Sequence, residues 1–302
     1  MIFSLGRFCL AAAVWALAAA APAAEPPAKT AAQAWPDLAS VPADLVVPPA
    51  ASAAPAPGRR VFATTSGWES TAVRHTVYLP ADWTPGKTWP VLVEYPGNGN
   101  YRNKFGDTSD GTPEGCRLGY GASGGRGFIW ISLPFVAGTG SARTNAVTWW
   151  GDVAETKRYL LATVREVAAR FGGDPARLVF CGFSRGAIAA NFLGLHDDEV
   201  AALWRGFICH SHYDGVSERW PYPGADRVAA LVRLRRLGDR PQWISHEGSV
   251  AATETWLRGT GVPGRWNFRS IPFRNHSPDW VLRDLPERRD LRAWLAEVVA
   301  TR

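Results

Sequence analysis

The sequence predicts an α/β protein, a three-layer α/β/α sandwich around a mostly parallel central sheet of about eight strands. After an initial hairpin, short apolar runs alternate with amphipathic helices, which is the pattern of such sheets. The composition, with 46% hydrophobic and 20% charged residues, is typical of a soluble globular protein and excludes a wholly disordered chain. A chain of 302 residues can form one large domain that buries roughly 75% of its unfolded surface.

Eight segments are expected to form the strands, and the later ones are short apolar runs like those of buried parallel strands. The segments are Arg60–Thr65, Arg74–Leu79, Val91–Tyr95, Phe128–Leu133, Leu178–Phe183, Gly206–His210, Gln242–His246 and Asn267–Pro272. Because ligand sites in parallel sheets lie at the carboxyl ends of the strands, functional residues are expected at that edge.

Two further segments have the apolar spacing of amphipathic helices. Asp152 can cap the helix that starts at Val153, with Glu155 three residues on as its capping-box partner. The apolar residues of that helix share one face: Leu160, Val164, Val167 and Phe171. The same spacing returns near the C-terminus at Leu291, Trp294, Leu295, Val298 and Val299. Both helices are therefore expected to cover the sheet.

The N-terminus has the organisation of an export signal. Arg7 precedes the apolar run Phe8–Ala20, and Ala21-Pro22-Ala23 supplies the small residues that a signal peptidase recognises. The run is about 13 residues long, shorter than the ~20 that a transmembrane helix needs, and an uncleaved anchor is the alternative. We therefore predict a signal peptide over residues 1–23. The protein is expected to be periplasmic or extracellular, with no stable membrane span after cleavage.

Alanine and proline dominate residues 24–58, a composition that is unlike that of a segment with its own core. This predicts a linker that joins the export signal to one folded domain over residues 59–302. Within the linker, Trp35, Leu38 and Leu45–Val47 are the residues that can pack on the folded domain.

Charge and cysteine content narrow the classes of function. The net charge of +6 arises from 33 basic and 27 acidic residues without a basic block, so no nucleic-acid partner is expected. Three cysteines follow the signal, Cys116, Cys181 and Cys209, and they permit at most one disulfide. The fold is therefore expected to depend on its core. His210 and His212 lack a third ligand with metal-type spacing, so no metal is expected.

The motif with the clearest chemistry is G-x-S-x-G over residues 182–186, centred on Ser184. It directly follows the apolar run Leu178–Cys181 and directly precedes a helix-forming segment, Ala187–Leu193. Strand, tight turn and helix form the context in which this motif carries a nucleophilic serine. The stretch Gly173–Ser184 resembles the region before the nucleophile in the polyhydroxybutyrate-depolymerase-like esterases, which have the α/β-hydrolase fold and include feruloyl and acetylxylan esterases. The resemblance implies a serine esterase that needs no cofactor.

In that fold the catalytic histidine follows the last strand, and His276 has this position. The acid usually follows the strand before it, where Glu247 ends the segment Gln242–His246. The esterases that the chain resembles more often have an aspartate in a G-x-x-D turn there, so Asp214, after the preceding strand, is the alternative. Either carboxylate would hold His276 in its catalytic tautomer and stabilise its protonated form.

An oxyanion hole would complete the machinery. One donor is expected to be the backbone N–H of Arg185, the residue after the nucleophile, and the other should come from the loop after the third strand. That loop has the sequence Pro-Gly-Asn-Gly over residues 96–99, and its glycines let backbone N–H groups turn toward a ligand. Asn98 is the first choice and Gly97 the second, with an ordinary turn as the alternative.

The stretch 98–151 is long for one strand and its connections, and loops beside the strand ends are where this fold varies its specificity. Tyr101, Trp149 and Trp150 are expected to contact sugar or phenolic rings there, unless the two tryptophans fill the core. The sequence therefore favours a hydrolase of carboxylic esters, linked to a polysaccharide or plant polymer, with short or aromatic acyl groups. A serine peptidase, a polyester depolymerase and a non-catalytic carbohydrate-binding relative are the alternatives.

Overall fold

An eight-stranded sheet crosses the centre of the fold in the computed structural model, which describes residues 1–2 and 34–300. The strands in chain order are β1 (Arg60–Ala63), β2 (His75–Tyr78), β3 (Trp89–Tyr95), β4 (Ile129–Ser132), β5 (Gly173–Phe183), β6 (Trp204–His210), β7 (Pro241–Glu247) and β8 (Arg265–Ile271). Their order in the sheet is β1-β2-β4-β3-β5-β6-β7-β8. Strand β2 is antiparallel to β1 and β4, and all other neighbours are parallel.

Every predicted strand segment is a strand of this sheet, and the predicted three-layer α/β/α fold is confirmed. Strand β5 begins at Gly173, five residues before the predicted start at Leu178. The additional residues are partly polar, so the apolar pattern does not include them, yet Gly173 pairs with Trp89 of β3.

Helices cover both faces of the sheet. They are α1 (Leu118–Ser123), α2 (Val153–Phe171), α3 (Arg185–Phe192), α4 (Asp198–Ala201), α5 (Arg227–Leu234), α6 (Ala251–Gly259) and α7 (Pro286–Ala300). Short 3-10 turns lie at Leu38–Ser40, Pro113–Gly115, Gly140–Ala142 and Pro278–Leu282. Two small hairpins pair Tyr101–Arg102 with Thr108–Ser109 and Phe135–Ala137 with Thr144–Ala146.

The side chains of the central strands alternate between two cores. In β5, Leu178 and Phe180 pack in the core that α2, α3, α5 and α6 cover, whereas Val179 and Cys181 pack in the core that α1 and α7 cover. Burial on both faces is the reason that these strands appear in the sequence as continuous apolar runs.

Helix α2 begins at its predicted cap. The Asp152 carboxylate accepts the N–H of Glu155 at 3.0 Å, and Gly172 ends the helix in the left-handed region. The other half of the predicted capping box, a hydrogen bond from the Asp152 N–H to the Glu155 side chain, is wrong. The Asp152 N–H donates to the Val136 carbonyl, and the Glu155 carboxylate pairs with Arg143 at 2.8 Å. The neighbouring arginine competes successfully for this carboxylate.

Residues 35–58, which we call the strap, pack along the folded domain. Trp35 is the first residue of the compact unit, so the domain boundary predicted at residue 59 lies inside that unit. Leu38 is buried in the core beneath α7 and donates its N–H to the Asn275 side chain at 2.7 Å. The Asp44 carboxylate receives two hydrogen bonds from Arg288, both of 2.7 Å. The first part of the predicted linker, with most of the predicted signal peptide, lies outside the described residues.

The composition suggested a linker because alanine and proline build no core of their own. In the structure, Leu38 docks on a core that the rest of the chain provides. Prolines also restrict the unfolded segment, which lowers the entropy cost of ordering an extended chain.

Cys116, Cys181 and Cys209 are free thiols in the interior, and burial raises the pKa of all three. The described chain is thus held by its cores, as expected. No helix in residues 1–2 and 34–300 combines the length and the apolar character that crossing a membrane requires.

Replacing Leu38 by alanine should lower the free energy of unfolding by roughly 2–5 kcal/mol, because the change opens a cavity in a packed core. Val46, also in the strap, is 82% exposed, and Val46→Ala should change stability by less than about 0.5 kcal/mol. Urea unfolding of both variants measures the difference. Equal stability of the two variants would mean that the strap does not pack as described.

Candidate active site

Ser184 lies in the sharp turn between β5 and α3. Its backbone has φ 52° and ψ −112°, a strained conformation for a residue with a side chain. A Cβ atom at Gly182 would come within 2.2 Å of the backbone of Gly186, and one at Gly186 within 2.0 Å of the Tyr95 carbonyl. Both glycines of the motif are therefore required for the turn to close against β3, which presents the serine at the sheet edge.

The turn brings three predicted residues into one hydrogen-bonded chain. His276 Nε2 lies 3.1 Å from Ser184 Oγ, and His276 Nδ1 lies 2.6 Å from Glu247 Oε1. Ser184 directly follows β5, Glu247 ends β7, and His276 lies in the loop after β8. A nucleophile, a base and an orienting carboxylate within hydrogen-bond reach are the arrangement of a serine hydrolase triad.

The electrostatics of Glu247 suit the orienting position. Burial alone would raise the pKa of this carboxyl, but the hydrogen bond and charge of His276, with the charges of His246 and His210, outweigh burial and hold the pKa far below its usual range. Glu247 is therefore ionised at neutral pH and can accept a proton-bearing Nδ1.

Asp214, the alternative acid, belongs to a different network. Its carboxylate accepts hydrogen bonds from Asn191 at 2.8 Å, Tyr222 at 3.0 Å and Arg233 at 2.9 Å. Burial raises its pKa, and the Arg233 guanidinium opposes that rise. All three partners belong to the structure around α3 and α5, so Asp214 anchors α5 and the loop before it, while Glu247 faces His276.

The loop that carries His276 is fixed from two sides. The His276 N–H donates to one oxygen of Asp107 at 2.9 Å, and the Asn275 side-chain amide donates to the other oxygen at 2.9 Å. Asn275 in turn accepts the N–H of Leu38. Hydrogen bonds thus connect the strap, the His276 loop and the long loop after β3.

The predicted oxyanion residues lie around Ser184. Arg185 is the first residue of α3, where a backbone N–H has no acceptor within the helix. Asn98 lines the same pocket as Ser184, and its Oδ1 accepts the N–H of Trp149 at 2.8 Å. Gly97 packs against the Phe183 ring, and a Cβ atom at Gly97 would lie only 3.0 Å from Phe183 Cδ1.

The side chain of Arg185 was not assigned a role from the sequence. It is buried and donates to four carbonyl oxygens, those of Pro96, Gly111, Ala146 and Trp149. Its guanidinium also stacks over the Phe135 ring at 4.3 Å. Burial lowers its pKa to about 9, so the group remains charged at neutral pH.

A small pocket of about 150 Å³ opens at Ser184. Its walls are mostly aromatic and apolar, with Trp149, Trp220, Phe183 and Ile188 among them. Tyr101 also lines it, with its ring centroid 5.0 Å from that of His276.

The prediction that Trp150 contacts substrate is wrong. Trp150 is 6% exposed and stacks on Phe192 with centroids 4.4 Å apart, so it belongs to the core beneath the pocket. Trp149 lines the pocket, with its ring centroid 5.9 Å from that of Trp150, and its backbone adopts a positive φ of 50°. Arg185 and Asn98 hold the carbonyl and the N–H of Trp149 respectively, which stabilises this unusual conformation.

His212 is a pocket residue that the sequence did not single out for this position. Its ring lies 5.0 Å from that of His276 and 5.2 Å from that of Trp220. Burial, helped by the charge of His276, lowers the pKa of His212 to about 3, so the ring is neutral. Within residues 34–300 its nitrogens have no hydrogen-bond partner, which leaves them available to a substrate.

The rings of His210 and His212 lie in different surroundings. The His210 ring is turned away from the pocket and contacts Ser245 Oγ at 3.0 Å and the Ser277 carbonyl at 3.1 Å. In the part of the chain that the structure describes, no group of three His, Cys, Asp or Glu side chains is arranged to hold a metal ion.

A second cavity, of about 560 Å³, adjoins the small pocket. The two share Tyr101, Ser109 and Phe183 in their walls. The larger cavity is mostly polar, with carboxylates, hydroxyls and guanidinium groups such as Asp110, Thr112 and Arg102. A small apolar space and a large polar one therefore lie on either side of a common wall near the serine.

No family model matches the chain, and no curated protein matches its sequence. Solved structures do resemble its fold. S-formylglutathione hydrolase from Agrobacterium tumefaciens is 15% identical with a TM-score of 0.56, over 82% of this chain and 98% of that one. A fungal esterase from Rhizomucor miehei is 14% identical with a TM-score of 0.54, over 80% of this chain and 84% of that one.

Dipeptidyl peptidase 4 from Porphyromonas gingivalis is 14% identical with a TM-score of 0.50, over 80% of this chain and 36% of that one. The chain spans about a third of the length of this protein and of a similar structure from Bacteroides ovatus, of which it covers 35%. At these identities the likeness establishes the α/β-hydrolase fold, which hosts many reactions.

Replacing Glu247 by glutamine should lower kcat by about 10³–10⁴ while leaving KM nearly unchanged, because the amide no longer selects the catalytic tautomer of His276. Asp214→Asn should keep kcat within tenfold of wild type, and should instead lower the free energy of unfolding by ~3 kcal/mol, because Arg233 loses its buried counter-charge. Steady-state kinetics on p-nitrophenyl acetate and urea unfolding measure both. The reverse pattern would make Asp214 the acid.

Proposed function

We propose that the protein is an exported serine hydrolase of carboxylic esters, which acts through an acyl-enzyme. The observation that carries the proposal is the chain of hydrogen bonds from Ser184 Oγ through His276 to Glu247, with separations of 3.1 and 2.6 Å. The fold supports it, because the three residues occupy strand ends where α/β-hydrolase enzymes carry their chemistry.

In the proposed reaction, His276 Nε2 accepts the Ser184 proton as Oγ attacks the acyl carbon. The N–H groups of Arg185 and Asn98 donate to the oxygen that becomes negative, and the dipole of α3 favours the same charge. His276 then protonates the leaving alcohol. Water, activated by the same histidine, hydrolyses the acyl-enzyme, while Glu247 remains ionised throughout.

The two cavities support a small acyl group and a polar alcohol. A space of about 150 Å³ is smaller than the 300–1,000 Å³ of pockets for drug-sized ligands, which favours a short acyl chain or a single ring beside Trp149 and Trp220. The polar cavity of about 560 Å³ has room for a sugar unit or a larger polar alcohol. An ester on a carbohydrate or plant polymer is therefore the proposed substrate class.

Other readings have less support. A peptidase needs room for an extended peptide, and a space of about 150 Å³ at Ser184 disfavours a large side chain. A polyester depolymerase or lipase would be expected to have a longer apolar channel. A non-catalytic carbohydrate-binding relative would have no need for a strained serine, a base and an acid in one hydrogen-bonded chain. Export rests on the sequence of residues 1–23 alone.

Ser184→Ala and His276→Ala should each lower kcat by several orders of magnitude with little change in KM. Because the residues act as a unit, the double variant should be no worse than either single variant. Rates of p-nitrophenyl acetate hydrolysis by the folded variants measure this. More than about a tenth of the activity left in a single variant, or additive losses in the double variant, would contradict the proposal.

Among p-nitrophenyl esters, we expect the highest kcat/KM with acyl chains of about two to four carbons, because longer chains exceed the pocket at Ser184. The measurement is kcat/KM from acetate to decanoate at fixed ionic strength, with Ser184→Ala as the blank. An optimum at about eight carbons or more would favour a lipase-like or polyester-degrading enzyme instead.

A further inference from the structure

Ser211 contacts both the acid and the base of the proposed site. Its Oγ lies 2.7 Å from Glu247 Oε2 and 2.7 Å from His276 Nδ1. The residue directly follows β6 and is completely buried. We infer that Ser211 is a fourth functional member of the site, a positioning residue that fixes Glu247 against His276; this inference rests on the proposed function.

The hydrogens in this contact can be assigned in one consistent way. A serine hydroxyl has one proton, and the Glu247 carboxylate has none, so the hydroxyl donates to Oε2. Toward His276 the hydroxyl oxygen must then accept, so Nδ1 carries a proton that Glu247 Oε1 and Ser211 Oγ share. This tautomer leaves Nε2 unprotonated and facing Ser184, as a general base requires.

The hydroxyl also fixes the second oxygen of Glu247. Oε1 contacts His276. Within residues 34–300, Oε2 contacts the Ser211 hydroxyl at 2.7 Å and His246 Nδ1 at 3.5 Å. Without the hydroxyl, Oε2 would have no close donor, and the carboxylate would be free to rotate away from Nδ1. The serine therefore restricts the acid to the rotamer that holds the base.

The backbone of Ser211 points to a function in the side chain. Its φ is 87°, in the left-handed region where glycine is the residue without steric cost. A strained residue persists where its surroundings fix it, and such residues cluster at functional sites. Here the neighbours supply that constraint: the Ser211 N–H donates to the Ser245 carbonyl at 2.7 Å, and the His210 carbonyl before it accepts the Ser184 N–H at 2.9 Å. A serine at a position that suits glycine is explained by the two contacts of its hydroxyl.

Two substitutions separate the hydroxyl from the backbone. Ser211→Ala removes the hydroxyl and keeps the strain, whereas Ser211→Gly removes both and suits the positive φ. Both variants should lower kcat for p-nitrophenyl acetate by about 10- to 100-fold and keep KM within about twofold of the wild-type value. This loss is the size expected when one hydrogen bond to a charged group is removed. Ser211→Gly should be at least as stable to urea as Ser211→Ala. Ser217→Ala, in the same loop and away from the triad, should be fully active.

A double-mutant cycle with Glu247→Gln tests whether Ser211 acts through the acid. Because the hydroxyl serves the carboxylate, Ser211→Ala should lower kcat less than about twofold when Glu247 is already glutamine. Equal losses in both backgrounds, or wild-type kcat in Ser211→Gly, would overturn the inference. A Ser184→Ala variant as active as wild type would overturn the proposed function and this role together. An inactive Ser184→Ala beside a fully active Ser211→Gly would overturn the role of Ser211 alone.

Discussion

The buried guanidinium of Arg185 holds the loops around Ser184 through hydrogen bonds to four backbone carbonyls. A cation in the interior is unfavourable unless its donors are satisfied, and a buried cation is commonly paired with a carboxylate. Four backbone carbonyls satisfy it instead. Two of these carbonyls, those of Pro96 and Gly111, belong to the loop after β3, and the other two, those of Ala146 and Trp149, lie after β4. One side chain therefore fixes the positions of both segments. Because Arg185 directly follows Ser184, the loops are positioned relative to Ser184, and Trp149 lines the pocket with a positive φ.

The rest of the site is organised by the last residue of β6 and the two residues that follow it. The His210 carbonyl accepts the N–H of Ser184, the Ser211 hydroxyl contacts Glu247 and His276, and the His212 ring lines the pocket. A second set of contacts holds the loop that carries His276. Leu38 of the strap donates its N–H to the Asn275 side chain, and the Asp107 carboxylate accepts the N–H of His276. Both sets include backbone groups, which gives the side chains a rigid frame before any substrate binds.

The strands and the position of Ser184 could be predicted from the sequence, because local sequence patterns indicate them. The eight strands follow from short apolar runs, and Ser184 follows from glycines placed where the turn has no space for a Cβ. Glu247 and His276 follow from chain order in a known fold, not from any local signal. Ser211, His212 and Asp107 could not be predicted, because their roles depend on contacts between segments far apart in the chain. Trp149 and Trp150 are adjacent and chemically identical, so the sequence does not show that Trp149 lines the pocket while Trp150 is buried in the core. Composition predicts a linker over residues 24–58 because it describes a segment alone and not the core that receives it. Leu38, one of the residues expected to be able to pack, is buried in that core.

The central claim is that Ser184 is a nucleophile activated by His276, and covalent labelling with a fluorophosphonate tests it most directly. We expect one fluorophosphonyl adduct per folded chain, located by peptide mass spectrometry on Ser184, and labelling at least about a hundredfold slower in His276→Ala. An adduct on another residue, no adduct at all, or equal labelling rates in wild type and His276→Ala would contradict the account.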